Sequence, residues 1–156
     1  MQPIYLIIGV PGSGKSWVAR QLKDKYHYVA HDRCWVHPTL SPPDGDEDCD
    51  WPSGAKSTHI QVLVREAEKA QKPILTECPF GERPLKEELE SHGLKVIPIF
   101  VIEYPRIVAD RYRKRTGRII PQASLTRATT IVNRADEWQA ERGTSQEVLE
   151  ILRNKF

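Results

Sequence analysis

The spacing of three glycines ahead of a lysine and a serine is the clearest chemical pattern in this sequence. It runs Gly9-Val10-Pro11-Gly12-Ser13-Gly14-Lys15-Ser16 and fits G-x-x-x-x-G-K-[ST]. Glycine lets the backbone turn with dihedral angles that other residues avoid, and it lets backbone N–H groups come close to an anion. Those N–H groups, with the N-terminus of a following helix behind them, form a concave positive surface for a polyphosphate. The pattern therefore predicts a phosphate-binding loop, called the phosphate loop below (Gly9–Ser16).

Lys15 and Ser16 would supply the side-chain chemistry of this loop. The ammonium group of Lys15 is a mobile point charge that suits the β- and γ-phosphates of a nucleotide. The hydroxyl of Ser16 is an oxygen ligand of the kind that Mg²⁺ takes. The sequence therefore predicts ATP and Mg²⁺ as cofactors, with the metal held at Ser16. The other predicted phosphate-binding positions of the loop are Gly9, Pro11, Gly12, Ser13 and Gly14.

Alternating strands and helices are predicted to hold this loop in place. Residues 3–8, an apolar run rich in β-branched side chains, are typical of a buried parallel strand, and residues 16–23 have helical apolar spacing. Further strands are predicted at residues 26–31, 74–77 and 95–102, with helices between them. This order predicts an α/β fold with four parallel strands and helices on both faces of the sheet. Pro98 favours an edge position for the fourth strand, because proline cannot donate to the ladder.

Two carboxylates would lie at the rim where open α/β sheets bind ligands. Asp32 follows the second strand and is suited to accept a proton from a hydroxyl that attacks the γ-phosphate. The alternative for Asp32 is an N-cap or turn aspartate. Glu77 ends the third strand and is suited to order a magnesium-bound water or the substrate. The alternative for Glu77 is a carboxylate that caps the turn at residues 79–81.

A dense basic cluster follows the fourth strand. It comprises Arg106, Arg111, Arg113, Lys114, Arg115 and Arg118, with Asp110 among them. On a helix that begins at Pro105, Arg111 and Arg115 share a face. Beside a phosphate loop they would stabilise charge on the transferring phosphoryl group. Residues 111–121 are therefore interpreted as a lid over ATP with a hinge at Thr116-Gly117, and a solvated basic face is the alternative.

Length and composition bound the remaining possibilities. A length of 156 residues predicts one domain, residues 1–156. The net charge of +2 is too small for a protein that coats nucleic acid along its length. No run approaches the ~20 apolar residues of a membrane helix. The sequence has no signal-peptide pattern and three scattered cysteines, Cys34, Cys49 and Cys78, which predict reduced thiols in a cytoplasmic protein. For a phage-encoded chain that would be the host cytoplasm. Residues 37–54 are acidic and proline-rich, and we interpret them as a surface loop near the substrate.

The order of these features resembles the 5′-kinase domain of the phage polynucleotide kinases, within the wider group of small P-loop kinases. The resemblance spans residues 4 to about 131. It is carried by Gly9–Ser16, His31-Asp32-Arg33, Thr76-Glu77-Cys78-Pro79 and Arg111-x-Arg113-Lys114-Arg115-x-Gly117 with Ile120-Pro121. It implies a three-layer P-loop kinase fold with four strands in the order 2-3-1-4. It also implies that Lys15 and Ser16 hold phosphate and metal, that Asp32 is the general base, and that Arg115 is the lid arginine on the phosphates.

The acceptor side of the chain departs from that family. An arginine lies three residues beyond the catalytic aspartate in the family and holds the phosphate of the acceptor strand, whereas Trp35 stands at that position here. Arg33 is a candidate for the same role. Trp35 and Trp51 are candidates to stack on an unpaired or flipped base, with core packing as the alternative for each. Small phage kinases that act on the hydroxymethyl group of a modified pyrimidine in DNA also resemble this chain.

Three functions stay open at this point. The first is a kinase for a hydroxyl of DNA or another nucleic acid, either a 5′ end or the hydroxymethyl group of a modified base such as 5-hydroxymethyluracil. The second is a small-molecule kinase for a nucleoside, a nucleotide or another metabolite. The third is a P-loop ATPase that transfers phosphate to no acceptor. Only the first two need Asp32 to activate a hydroxyl.

Overall fold

Five parallel strands form one sheet in the computed structural model, which describes residues 1–10, 12–30, 55–78 and 81–155. The central strand, β1 (Ile4–Ile8), lies between β3 (Ile74–Cys78) and β4 (Val96–Val101). The edge strands are β2 (His27–Tyr28), beside β3, and β5 (Glu141–Gly143), beside β4. The order is therefore β2-β3-β1-β4-β5. The carboxyl ends of β1, β3 and β4 thus meet at one rim, where the phosphate loop begins.

The described residues also form six helices, of which the last follows β5. They are α1 (Lys15–Arg20), α2 (Ala55–Lys69), α3 (Glu82–Ser91), α4 (Pro105–Thr116), α5 (Gln122–Glu137) and α6 (Ser145–Arg153). Pro105 opens α4, where its missing N–H costs nothing, and Gly117 closes it with a φ of 72°. A capping box opens α6, in which the Thr144 hydroxyl accepts from the Glu147 N–H and the Glu147 carboxylate accepts from the Thr144 N–H.

The alternation of side chains along β1 divides the core between the two faces of the sheet. Ile4, Leu6 and Ile8 point to one face, where α2, α3, α4 and α5 supply apolar side chains. Tyr5 and Ile7 point to the other face, which α1 and α6 cover. All five residues of β1 are buried. This confirms the predicted α/β layers with helices on both faces.

The prediction of four strands is wrong, because β5 is a fifth. β5 is short and has the sequence Glu-Arg-Gly, so neither alternation nor an apolar run indicates a strand. It is held by its parallel pairing with β4, which runs from Ile99–Glu141 to Val101–Gly143. The Ile102 N–H then donates to the Gly143 carbonyl at 2.8 Å. Backbone pairing, rather than side-chain pattern, therefore defines this strand.

The predicted edge position of the fourth strand is also wrong, since β4 lies between β1 and β5. Pro98 is tolerated there because pairing with β5 begins at Ile99, one residue later. On the other side Pro98 is aligned with Leu6 of β1. Within the described part of the chain, no helix combines the length and the apolar character needed to span a membrane.

Candidate active site

The backbone of the phosphate loop has the strained turns that its glycines predict. Gly12 and Gly14 have φ values of 87° and 100°, which side chains rarely tolerate. A Cβ atom on Gly14 would lie 2.9 Å from Cβ of Ser145 and 3.2 Å from Nη1 of Arg111. A Cβ atom on Gly9 would lie 2.5 Å from the Ser13 hydroxyl. The loop is therefore packed closely on β4, α4 and the start of α6, and its path depends on the absence of side chains.

Lys15 is buried beneath this loop, with only 8% of the residue exposed. Its ammonium group donates to the Val10 carbonyl at 3.1 Å, which folds the side chain back along the loop. Burial lowers the pKa of Lys15 from its ordinary value of 10.5 to about 8, although the negative charge of Glu77 acts in the opposite direction. The positive charges of Arg127 and Arg115 lower this pKa further. Lys15 is thus a poorly solvated cation that an anion would stabilise.

Glu77 lies beside Ser16 and joins β3 to the phosphate loop. The Ser16 hydroxyl donates to Oε2 of Glu77 at 2.5 Å, although the two residues are 61 positions apart in the chain. The Tyr28 hydroxyl, from β2, donates to Oε1 of the same carboxylate at 2.6 Å. Glu77 is 3% exposed. The turn-capping alternative for Glu77 concerned residues 79 and 80, which lie outside the described ranges.

Two arginines of α4 line a cavity at the phosphate loop. This cavity has a volume of about 200 Å³, and Gly12, Gly14, Lys15 and Ser16 also line it. Arg111 donates to the Ser13 carbonyl at 3.1 Å, so α4 is tied directly to the loop. The guanidinium group of Arg115 lies 5.8 Å from the ring centre of Tyr112. The structure therefore brings Arg111 and Arg115 to the phosphate loop, while closure of residues 111–121 as a lid stays a prediction.

A second cavity, of about 590 Å³, adjoins the phosphate loop and was not predicted. Its lining includes Gly14 and Trp17 on one side, Tyr104, Ile107 and Arg111 of the α4 region, and Thr144, Ser145 and Gln146 at the start of α6. Glu103 supports it, because its carboxylate accepts from the backbone N–H and the hydroxyl of Ser145, both at 2.8 Å. The same carboxylate lies 3.7 Å from Arg111. No motif marks Glu103, but its position just after β4, at the same rim as Glu77, was a usable signal.

Several predicted site residues lie outside the part of the chain that the structure describes. They are Pro11 of the phosphate loop, Asp32, Arg33, Cys34, Trp35, Cys49, Trp51 and the acidic loop at residues 37–54. Their predicted roles stay predictions. The described residues thus contain the predicted nucleotide side of the site and Glu77, while the predicted base and acceptor contacts are not among them.

The side-chain oxygens of Ser16 and Glu77 are suitable ligands for Mg²⁺. A serine hydroxyl and a buried carboxylate 2.5 Å apart are hard oxygen ligands, and they lie directly beside the phosphate loop. Mg²⁺ is commonly held by one or two such protein oxygens, with phosphate oxygens and water completing its coordination. Ser16 and Glu77 are therefore the residues that would hold the ion. A divalent ion held there would supply positive charge close to the phosphates of a bound nucleotide.

No protein-family model matches the chain, and no curated protein is similar enough in sequence to match it. Solved structures match its fold. The tunicamycin resistance protein of Deinococcus radiodurans is 18% identical with a TM-score of 0.63, and the alignment covers 96% of this chain and 92% of that one. A gluconokinase from Sinorhizobium meliloti 1021 is 18% identical with a TM-score of 0.55, covering 83% and 74%. The shikimate kinase of Acinetobacter baumannii, solved with shikimate, is 13% identical with a TM-score of 0.55, covering 100% and 96%.

These likenesses show that the chain has the fold of P-loop kinases along most of its length. The finer resemblance to phage polynucleotide kinases is a separate matter and stays a prediction. The phosphate loop, its buried lysine and the carboxylate beside Ser16 are the features of the chain from which a function can be proposed.

Proposed function

We propose that this protein is an ATP- and Mg²⁺-dependent kinase that transfers the γ-phosphate to an alcohol. The observation that carries the proposal is that Lys15, Ser16 and Arg111 line one cavity of about 200 Å³ at the phosphate loop, with Glu77 hydrogen-bonded to Ser16. A buried lysine, a hydroxyl beside a carboxylate and arginines over a glycine loop are the groups that phosphoryl transfer uses, because its catalysis is mostly positioning and charge stabilisation.

The two adjoining cavities would together hold a whole nucleotide. The triphosphate would lie in the smaller cavity against the backbone of the phosphate loop. The larger cavity continues from Gly14 past Trp17 toward the start of α6, and it is wide enough for a nucleoside. Trp17 is 40% exposed and offers an aromatic face to the base. Arg111 lines both cavities, so it would contact the nucleotide near the junction of phosphate and sugar.

The acceptor that we propose is a hydroxyl of nucleic acid, either a 5′ end or the hydroxymethyl group of a modified base in DNA. Support comes from the basic surface beside the site, where Arg113, Lys114 and Arg118 are all exposed. Exposed cations contact phosphate backbones without reading sequence. Asp32 would take the proton of the attacking hydroxyl, and Arg33 and Trp35 would contact the acceptor.

A small alcohol is the alternative acceptor, and a specific observation favours it. The gluconokinase and the shikimate kinase that share this fold have names that state small hydroxylated acids as their substrates. Shikimate kinase aligns over the entire length of this chain, so this size of domain suffices for such a reaction.

A labelled-ATP assay with a panel of acceptors tests the proposal. The panel contains 5′-hydroxyl oligonucleotides, DNA with 5-hydroxymethyluracil, free nucleosides, gluconate and shikimate. We expect label on one of the two nucleic acids, and we expect Asp32→Asn to lower transfer by about 10²- to 10⁴-fold while ATP still binds, because only proton removal is lost.

The controls separate the alternatives. Lys15→Ala should abolish both ATP binding and transfer. Label on a nucleoside, gluconate or shikimate, with none on nucleic acid, would replace the proposed acceptor by a small molecule. ATP hydrolysis that Asp32→Asn leaves unchanged, with no labelled acceptor, would replace the kinase by a P-loop ATPase.

A further inference from the structure

The carboxylate of Glu77 is held from two sides by two hydroxyl groups, and only one of them belongs to the phosphate loop. Ser16 donates to Oε2 at 2.5 Å, and Tyr28 donates to Oε1 at 2.6 Å. We propose that Tyr28 is a positioning residue for the metal end of the site. Its phenol fixes the rotation of the Glu77 carboxylate, so that Oε2 is kept for Ser16 and the magnesium ion. This inference rests on the proposed nucleotide site.

The direction of the two hydrogen bonds supports this division of roles. In both bonds the carboxylate is the acceptor, so each of its oxygens has a distinct donor. The Ser16 oxygen keeps its lone pairs while its hydrogen is donated to Glu77. It can therefore bind a cation without breaking the hydrogen bond to Glu77. The Tyr28 bond lies on the oxygen turned away from Ser16. Groups that orient a metal ligand from behind in this way commonly change metal affinity by about 10- to 100-fold when they are removed.

A phenol suits this role better than a charged donor would. A lysine or arginine against Oε1 would bring a positive charge close to the divalent cation and would compete for the carboxylate charge. A tyrosine hydroxyl, whose ordinary pKa is near 10, donates while it stays neutral at physiological pH. The phenol therefore holds Oε1 without adding a positive charge beside the metal end of the site. The ammonium group of Lys23 lies over the face of the ring, 5.8 Å from its centre.

The sheet fixes Tyr28 relative to Glu77. Tyr28 is aligned with Leu75 in the parallel pairing of β2 with β3, two residues before Glu77. The next residue, Val29, locks this register, because its N–H donates to the Leu75 carbonyl at 2.9 Å. Its carbonyl accepts from the Thr76 hydroxyl at 2.6 Å. On the other side of Tyr28, the His27 N–H donates to the Pro73 carbonyl at 2.8 Å, so bonds on both sides hold the backbone of this two-residue strand against β3.

The test compares Tyr28→Phe with Tyr26→Phe. Both variants lose one phenolic oxygen, and Tyr26 is a matched control because its hydroxyl donates to the Leu152 carbonyl at 2.8 Å, away from the phosphate loop. ATP binding is measured by calorimetry in EDTA and across a Mg²⁺ titration, and Mn²⁺ binding to the ATP complex is measured by electron paramagnetic resonance. We expect Tyr28→Phe to weaken metal binding about 10- to 100-fold. Its metal-free ATP affinity should stay unchanged, and Tyr26→Phe should bind metal as the wild type does.

A double-mutant cycle with Glu77→Gln gives a second, independent measurement. If Tyr28 acts through Glu77, Tyr28→Phe should have no further effect on metal binding once the carboxylate is an amide. The proposal is overturned if Tyr28→Phe binds Mn²⁺ as the wild type does, if it lowers metal-free ATP affinity equally, or if the two substitutions are additive. A protein that shows the expected metal effect and labels no acceptor would instead retain the positioning role and lose the kinase assignment. A wild type that binds ATP without any dependence on Mg²⁺ would overturn both.

Discussion

At the scale of single residues, the burial of Lys15 is the feature with the clearest functional consequence. Removal from water lowers the pKa of Lys15 to about 8, because the charged form loses solvation that the Val10 carbonyl and Glu77 replace only in part. A triphosphate beside the ammonium group would favour the charged form again. Nucleotide binding and protonation of Lys15 are therefore coupled, and each should strengthen the other.

We expect the affinity for ATP to fall as the pH rises through about 8. Below that pH Lys15 is already protonated in the free protein, so binding requires no proton uptake. Above it the free protein must bind a proton before the charge is available, which weakens affinity by up to tenfold for each pH unit. Calorimetric titration of ATP between pH 6.5 and 9.5 measures this slope. Lys15→Arg is the control, since arginine stays charged throughout and should give a flat, if weaker, profile.

The lowered pKa of Lys15 should affect stability in the opposite direction from ATP affinity. As the pH rises above about 8, the affinity for ATP should fall while the free energy of unfolding rises. The folded pKa of about 8 lies below the ordinary value of 10.5, so the unfolded chain binds more protons between these two limits. The free energy of unfolding of the nucleotide-free protein should therefore gain a contribution that rises with pH above about 8. Denaturant titrations at pH 7.5, 8.5 and 9.5 measure it relative to Lys15→Met, which lacks the group. A difference between the two proteins that is independent of pH would contradict the burial of this charge.

At the scale of elements, the phosphate loop depends on how closely α4 and α6 approach it. Gly14 is the contact point, because its φ is 100° and Ser145 of α6 and Arg111 of α4 both lie within 3.2 Å of where a Cβ atom would be. Arg111 also donates to the Ser13 carbonyl in the same loop. The loop is thus shaped by two helices that are distant in the sequence.

We expect Gly14→Ala to abolish nucleotide binding and to lower the free energy of unfolding by about 1–3 kcal/mol, because a non-glycine residue would be both strained and too close to its neighbours. Gly93→Ala is the matched control. Gly93 has a similar φ of 82°, but its Cβ would meet only Cε of Met1, at 4.0 Å. It should lose stability through backbone strain alone and bind ATP normally. Thermal unfolding of both variants measures the cost of backbone strain, and ATP calorimetry measures the effect of the close contacts at Gly14. Equal ATP binding by the two variants would contradict the close approach of Ser145 and Arg111 to Gly14.

The elements also show which parts of the fold the sequence could predict. β1 and β4 are apolar runs, β3 begins with one, and most of their residues are buried, so pattern and burial largely agree. β5 has the sequence Glu-Arg-Gly and exists through its backbone pairing with β4, which no local pattern encodes. The edge position predicted for β4 from Pro98 was wrong for a related reason. The missing N–H of a proline weakens a strand only where a partner strand runs beside that residue, and β5 begins to pair one residue later.

The candidate site was predictable to the extent that its residues are local in sequence. The phosphate loop is one continuous motif, and its lysine and serine could be assigned from spacing alone. Tyr28 could not, because its proposed role arises from a contact with Glu77, 49 positions away. Glu103 offered only its place just after β4, since its contact with Ser145 spans 42 positions. Glu77 is intermediate, since its place at a strand end was visible but its bond to Ser16 was not.

At the scale of the whole molecule, the two faces of the sheet are held in different ways. The face with α1 and α6 has a core cluster of apolar side chains. The other face contains a buried ionic cluster in addition to its apolar core, in which Glu82 of α3 accepts from Arg127 of α5 at 2.6 and 3.2 Å. Arg134, also of α5, lies 3.8 Å from the same carboxylate. Glu82 is fully buried, and both guanidinium groups that face it are shielded from water.

Glu82 is the fully buried carboxylate of this cluster, and Glu82→Gln should therefore destabilise the fold strongly. We expect a loss of about 3–5 kcal/mol, because removal of one partner of a buried ion pair leaves buried positive charge less well compensated. Glu137→Gln is the matched control. It makes the same chemical change and weakens two ion pairs, one with Arg83 at 3.2 Å and one with Arg134 at 3.7 Å, but Glu137 is 55% exposed. Water screens those pairs, so their loss should cost about 0–1 kcal/mol. Urea unfolding of both variants measures the two values. Equal losses would mean that burial does not decide the strength of these pairs, and that α5 is held by its apolar contacts alone.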